Sequence, residues 1–303
     1  MLIVVILFLV IVSSVSCGPA GKAFDEELKE ESRVSVKEQP PESNNYQGLR
    51  FETTRLEFSR VCSSFPRLVC LGDSVTFGWN IAYEKSFPYL LEKKLMEQYP
   101  GVMVINSGIG GQTVLDGLQR LESDVFYYDP MVVIINFGLN DAFIVTEGDS
   151  REQRNSNPGQ TKGEGNNFES EQSLVDENRD TDLKNNIDLD TFTSTYRQLI
   201  ERISDKGLEI LIMGTNPVRT EVLWDNKDIA SKQEESYRLY NQAARDAAED
   251  YGIIFVDIWE GFMSGGELDT LIQPDGIHPG ETGLVLISEI LSVKLRSVDL
   301  NRK

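Results

Sequence analysis

A chain of 303 residues, 40% apolar and 26% charged, can bury the core of one sizeable globular domain with appendages. Its formal net charge of −20 repels phosphate backbones and anionic headgroups, so nucleic acid is excluded as an expected partner. One histidine, three cysteines and no CxxC leave no ligand set for a structural zinc, and neither a metal nor a cofactor is expected.

The N-terminus opens with an unbroken apolar run from Leu2 to Val12, followed by Ser13-Ser14-Val15-Ser16-Cys17-Gly18. That run is shorter than the about 20 residues that span a bilayer, and it fits the apolar core and small-residue cleavage site of an export signal over residues 1–17. A cysteine directly after small residues resembles a bacterial lipoprotein signal, in which Cys17 becomes the lipidated N-terminus. Ser14 in place of the usual Leu and the absence of Lys or Arg before the run depart from that pattern. The expected location is the cell envelope through a lipid anchor, otherwise the periplasm or the medium. Residues 18–47 are polar and acidic with Pro40-Pro41 and Asn44-Asn45, and read as a flexible tether.

The domain is placed at residues 48–303, with 48–65 as an extension packing on it. From Leu68 onward short β-branched runs recur at Leu68–Leu71, Val102–Asn106, Met131–Asn136, Ile210–Met213 and Ile253–Ile258, each predicting a buried strand. Amphipathic stretches at Phe87–Tyr99, Val114–Tyr127, Leu189–Ser204, Glu234–Tyr251 and Thr282–Leu295 predict the intervening helices. Strands alternating with helices imply right-handed crossovers and a parallel sheet covered on both faces. The predicted fold is a three-layer α/β/α domain, doubly wound in the flavodoxin-like manner, with about five parallel strands. Residues 147–186 interrupt the alternation with Phe168, Leu174, Val175 and Leu183 as their main apolar content. Such a segment cannot bury enough surface to offset its chain entropy, and reads as a disordered insertion within one domain. Cys70 lies in a predicted strand as a buried thiol, with pairing to Cys62 left open.

In an open parallel sheet, ligands bind beyond the carboxyl ends of the strands. Four segments fall there: Gly72-Asp73-Ser74-Val75, Ser107-Gly108-Ile109-Gly110-Gly111-Gln112-Thr113, Gly138-Leu139-Asn140-Asp141 and Asp275-Gly276-Ile277-His278. Taken singly, each has a structural explanation: a strand-end serine is a common helix N-cap, and glycines and Asn serve turns. Taken together they supply every part of acyl-transfer chemistry. Ser74 is a hydroxyl nucleophile that needs a base, and His278 is the one imidazole available. Asp275, three residues earlier, can orient that imidazole. The N–H groups of Ser74 and of the glycine loop, with the Asn140 amide, can form an oxyanion hole. Asp73 and Asp141 read as acceptors that brace the loops.

These four segments resemble the motifs of the SGNH hydrolases, the GDSL-type esterase superfamily, from about Leu68 to Leu295, and their order is most similar to the lysophospholipase, thioesterase and arylesterase branch. The resemblance implies Ser74 as nucleophile, Asp275 and His278 as its partners, and Ser74, Gly111 and Asn140 as the oxyanion hole. Thr76 stands where a G-x-S-x-G elbow would have its second glycine, which implies a flatter, more open site. Gln112 stands where that branch often has Asp or Glu. The expected activity is hydrolysis of a small-molecule, lipid or glycan ester. Sugar O-acetyl esterase or acyltransferase activity, or a surface lipoprotein that binds without turnover, are the alternatives.

Overall fold

The structure, a computed structural model, describes residues 65–146 and 183–300. The expected export segment with Cys17, the expected tether, residues 48–64 with Cys62, and residues 147–182 lie outside the described residues. The chain runs through β1 (Arg67–Gly72), α1 (Ser74–Phe77), α2 (Phe87–Met96), β2 (Met103–Gly108), α3 (Val114–Gln119), α4 (Leu121–Asp124), β3 (Val132–Asn136), α5 (Leu139–Ala142) and β4 (Ile144–Thr146). It resumes with β5 (Leu183–Asn185), α6 (Leu189–Ser204), β6 (Glu209–Met213), α7 (Thr220–Leu223), α8 (Lys227–Asp250), β7 (Ile254–Val256), α9 (Ile258–Gly265), α10 (Leu268–Leu271) and α11 (Glu281–Leu295).

Five strands form a parallel sheet in the order β2-β1-β3-β6-β7. Counting only those strands, this is the flavodoxin-like order 2-1-3-4-5. Every residue of β1 and β3 is buried, which is why both read as continuous apolar runs rather than as alternation. Helices α2, α9 and α11 pack together, and α6 packs with α3 and α8, giving the two outer layers. In α6 the buried set Phe192, Thr195, Tyr196, Leu199, Ile200 and Ile203 follows the helical repeat that the sequence shows. Its bounds coincide with the predicted ones.

Elsewhere the boundaries move for local reasons. The predicted helix Val114–Tyr127 breaks at Arg120, where φ is −100° and ψ 13°, because its guanidinium turns inward to the sheet instead of continuing along a solvated face. The helix predicted from Glu234 starts at Lys227, where the Asn226 side chain accepts from the N–H groups of Asp228 and Ile229 and caps two turns that look polar in sequence. The last predicted strand ends at Val256, since Asp257 accepts from Glu260 N at 3.0 Å and begins α9. The end of the expected insertion is also ordered: residues 183–185 form β5, antiparallel to β4. Cys70 is a free, fully buried thiol, and burial pushes its ionisation far above the ordinary thiol range. No described helix is long and apolar enough to cross a membrane.

The parallel register sets Gly72 opposite Gly108 on one side and Asn136 on the other. The chain leaves β1 toward β2, then returns to build β3 on the opposite flank. The carboxyl end of β1 is therefore the topological switch point, where such sheets open a crevice.

Candidate active site

All four segments singled out in the sequence lie at this edge. After Gly72 the chain turns into α1, and its N-cap is Asp73, not Ser74: Asp73 Oδ1 accepts from Val75 N at 2.9 Å. With the capping role taken by its neighbour, the Ser74 hydroxyl is available elsewhere, and its Oγ lies 2.8 Å from His278 Nε2. His278 Nδ1 is 2.7 Å from Asp275 Oδ2. Asp275 Oδ1 accepts from the backbone N–H groups of Ile277 and His278 at 2.9 and 3.0 Å. Burial alone would raise the Asp275 carboxyl, but the hydrogen bond and charge of His278 and these two N–H groups outweigh it and hold the group below the ordinary carboxylate value. An ionised carboxylate only accepts, so Nδ1 carries the imidazole proton and Nε2 is left to accept from Ser74 Oγ–H.

The histidine loop is held from three sides. Gly276 sits at φ +77°, and its carbonyl accepts from Arg219 N at 2.7 Å. Asn216 Nδ2 donates to Ile277 O at 2.9 Å. Gln273 N donates to His278 O at 2.7 Å, and Gln273 Nε2 bridges Trp79 O and Pro279 O. The Trp79 ring stacks on the imidazole, centroids 5.8 Å apart and planes 29° apart.

On the opposite side, Gly138 takes the strained backbone at φ +134° and lets Asn140 sit inside the one-turn helix α5, which removes the need for a left-handed asparagine. Asn140 Nδ2 donates to Gln112 O at 2.9 Å and makes a longer contact of 3.4 Å to Asp73 Oδ2. Gly111 adopts φ +73° in the loop after β2. Asp141, fully buried, accepts from Val114 N at 2.9 Å, so the bracing role expected of both aspartates is seen in their hydrogen bonds.

Several supporting residues were not legible in the sequence. Arg120, itself buried, donates to the carbonyls of Gly72 and Ser107 at 2.7 Å each and ion-pairs with Asp124 at 3.0 Å. One guanidinium thereby ties the end of β1 to the end of β2. Residues 185 and 186, assigned to the insertion's end, clamp α5 together with Ile187. Asn186 Nδ2 donates to Asn140 O at 2.9 Å, Asn186 N to Phe143 O, Ile187 N to Asp141 O and Asn185 Nδ2 to Ala142 O. Gln233 and Ser236 of α8 also donate to Ala142 O. A helix of one turn cannot satisfy its own last carbonyls, and these donors do so. Polar composition hid them, since Asn-rich ends read as loop. Among the described residues no group of three or more His, Cys, Asp or Glu could hold a metal ion.

The geometry defines a class: a parallel α/β domain with a Ser-His-Asp hydrogen-bonded chain at its switch point. The model of the GDSL-like lipase/acylhydrolase family matches residues 70–284, and the chain belongs to that family. It is 41% identical to an arylesterase of Vibrio mimicus over 75 residues, 25% of this chain but only 38% of the arylesterase. It is 27% identical to the uncharacterised lipoprotein YqeF of Bacillus subtilis strain 168 over 245 residues, covering 73% of this chain and 86% of YqeF. Its fold is that of the lipase/acylhydrolase from Enterococcus faecalis, with a TM-score of 0.56 at 19% identity over 77% of this chain and 96% of that one.

Two buried carboxyl groups lie behind this site. Burial raises Asp73 to about 6 against the opposing Val75 N–H and the charges of His278 and Arg120. It raises Asp141 to about 7 against the Val114 N–H, with the charge of Asp73 adding to the rise. Asp141 Oδ2 is buried with no hydrogen-bond partner among the described residues. Both folded values exceed the ordinary 3.8, so between about pH 4 and 7 the folded state keeps protons that the unfolded state has lost. Their contribution to stability therefore falls as pH rises through that window and levels off above it. Asp275 acts in the opposite sense: its contribution is present above the ordinary carboxylate value and is lost as pH falls through its depressed one. Asp141→Asn should flatten the decline, read as urea midpoints across that window; an unchanged slope would refute the buried-acid assignment.

Proposed function

We propose that this protein is an exported serine esterase that hydrolyses carboxylic esters through an acyl-enzyme. The observation that carries the reading is the continuous chain from Ser74 Oγ through His278 to Asp275, with links of 2.8 and 2.7 Å. As Ser74 Oγ attacks the ester carbonyl, its proton passes to His278 Nε2, and the ionised Asp275 stabilises the imidazolium. The tetrahedral oxyanion is met by the N–H groups of Ser74 and Gly111 and by Asn140 Nδ2, whose 3.4 Å contact to Asp73 is long enough to be given up. The bond to the leaving oxygen then breaks, His278 returns the proton to that oxygen, and the alcohol departs. Water repeats the sequence at the acyl-enzyme: its proton goes to His278, its oxygen bonds the acyl carbon, and Ser74 leaves reprotonated. Family membership and the identity to an arylesterase support an ester as substrate.

Turnover of a p-nitrophenyl acyl ester should be nearly abolished in Ser74→Ala and in His278→Ala, and fluorophosphonate labelling should map to Ser74. Asn140→Ala should lower kcat about 10²- to 10³-fold. Full activity in Ser74→Ala would refute the reading, as would an acid limb of kcat/KM that persists in His278→Ala.

Asn186 supports the same site through Asn140 O. Asn186→Ala should lower kcat about tenfold with KM nearly unchanged, and should cost little more once Asn140 is already Ala, the non-additivity expected of residues acting as a unit. An equal loss in both backgrounds would assign Asn186 a general structural role.

Export rests on the apolar run Leu2–Val12 before small residues and Cys17, and is supported by the identity to a lipoprotein over most of the chain. Cys17 is the proposed lipidation site, which places membrane contact at the N-terminus. Labelled palmitate should be incorporated during growth and lost in Cys17→Ser; retention of label in that variant would exclude Cys17.

A further inference from the structure

Most glycines in the four site segments have a visible reason to lack a side chain. A Cβ on Gly72 would stand 2.1 Å from Thr76 Oγ1, and one on Gly108 would stand 2.1 Å from Phe77 N. Gly111, Gly138 and Gly276 have φ of +73°, +134° and +77°, which side chains rarely adopt. Gly110 has neither reason. Its φ lies outside the left-handed region, and among the described residues a Cβ there would make only ordinary contacts, 3.5 Å to Trp79 Cε3 and Cζ3 and 3.9 Å to Ser74 Cβ. Backbone and packing would accept an alanine, and alanine would lower the entropy of the unfolded chain. The slot that the missing methyl leaves is methyl-sized, between Ser74 Cβ and the flank of the half-buried Trp79 indole.

The position of the slot says which part of an ester would use it. His278 must hand its proton to the leaving oxygen, so that oxygen comes within hydrogen-bond reach of Nε2. The Trp79 ring lies against the same imidazole, so an indole flanks the base that would serve the leaving oxygen. Resting on the esterase reading above, we infer that Gly110, Ser74 and Trp79 form a leaving-group subsite, with Gly110 as the specificity-determining position and a ring-bearing alcohol as its occupant. An indole flank offers a flat apolar surface, which suits an aromatic ring or the C–H face of a sugar and gives a short alkyl alcohol little contact.

The test compares acetyl esters that differ only in the alcohol: benzyl acetate, an acetylated methyl pyranoside and ethyl acetate, each with wild type and Gly110→Ala. The variant should lose about tenfold in kcat/KM on the ring-bearing esters, the scale on which one misplaced carbon alters fit, and change less than about twofold on ethyl acetate. Loss with benzyl alone assigns an aryl alcohol, and loss with the pyranoside alone a sugar. Because the alcohol has gone before the second half-reaction, the rate of acetyl-enzyme breakdown should be unchanged, and so should the acyl-chain-length profile on p-nitrophenyl esters. A loss of the same size on ethyl acetate, a slower deacylation, or a shifted acyl profile would overturn the subsite. Should Gly110→Ala fold poorly, partitioning in the wild type decides: acetyl-enzyme should transfer to added benzyl alcohol or methyl pyranoside in preference to ethanol, and equal transfer to all would overturn it. These outcomes are separable from failure of the esterase reading, which would appear as no acylation of Ser74 in any ester.

Discussion

Parallel pairing of β1 with both β2 and β3 imposes the arrangement on which the site depends. Burial on both faces requires helical crossovers, and crossovers require every strand to end on the same edge. Three loops of unrelated sequence are thereby delivered to one place, with Gly72, Gly108 and Asn136 in register beneath them. Arg120 adds a second tie at the strand ends: its guanidinium donates at once to the carbonyls of Gly72, which also accepts from Ile109 N, and of Ser107. A bidentate guanidinium suits this task because its donors are rigidly spaced. The loops bearing Ser74 and the glycine run are thus fixed relative to each other by the sheet and by one buried cation.

Division of labour between neighbouring residues recurs around the edge. Asp73 caps α1 and leaves Ser74 free to face His278. Gly138 absorbs the positive φ and leaves Asn140 in a helical turn. Asp275 uses one oxygen on two backbone N–H groups and the other on the imidazole, so a single carboxylate shapes the loop and selects the tautomer. In the first two cases a conformational demand is met one or two residues away from the group that would do chemistry, and in the third one carboxylate serves both. The cost is electrostatic: Asp73 and Asp141 are buried, and burial raises both well above the ordinary carboxylate value. A buried charge with incomplete pairing is unfavourable, and here it accompanies loops that hold two of the candidate site residues.

The clamp on α5 shows how distant segments contribute without touching substrate. A one-turn helix has almost no cooperative stability of its own. Its carbonyls are met by Asn185, Asn186 and Ile187, and by Gln233 and Ser236 from α8. The position of Asn140 therefore depends on chain lying more than forty residues further along, which accounts for an ordered strand at the end of an otherwise polar segment.

Short apolar runs determined the five strands, helical period the helix Leu189–Ser204, and their alternation the doubly wound class, because burial on two faces leaves a continuous run and burial on one a periodic trace in sequence. The site motifs were legible only as a set: each has a structural use by itself, and together at one sheet edge they fill complementary chemical roles. What the sequence could not decide was which of two adjacent residues meets which demand. Asp73 rather than Ser74 caps α1, Arg120 breaks a helix to reach two carbonyls, and Asn186 joins the fold rather than the polar run before it. Each outcome turns on donors and acceptors brought together from positions far apart in the chain, and such pairings leave no local signal. Only the tertiary structure, by setting distances between those groups, selected among them.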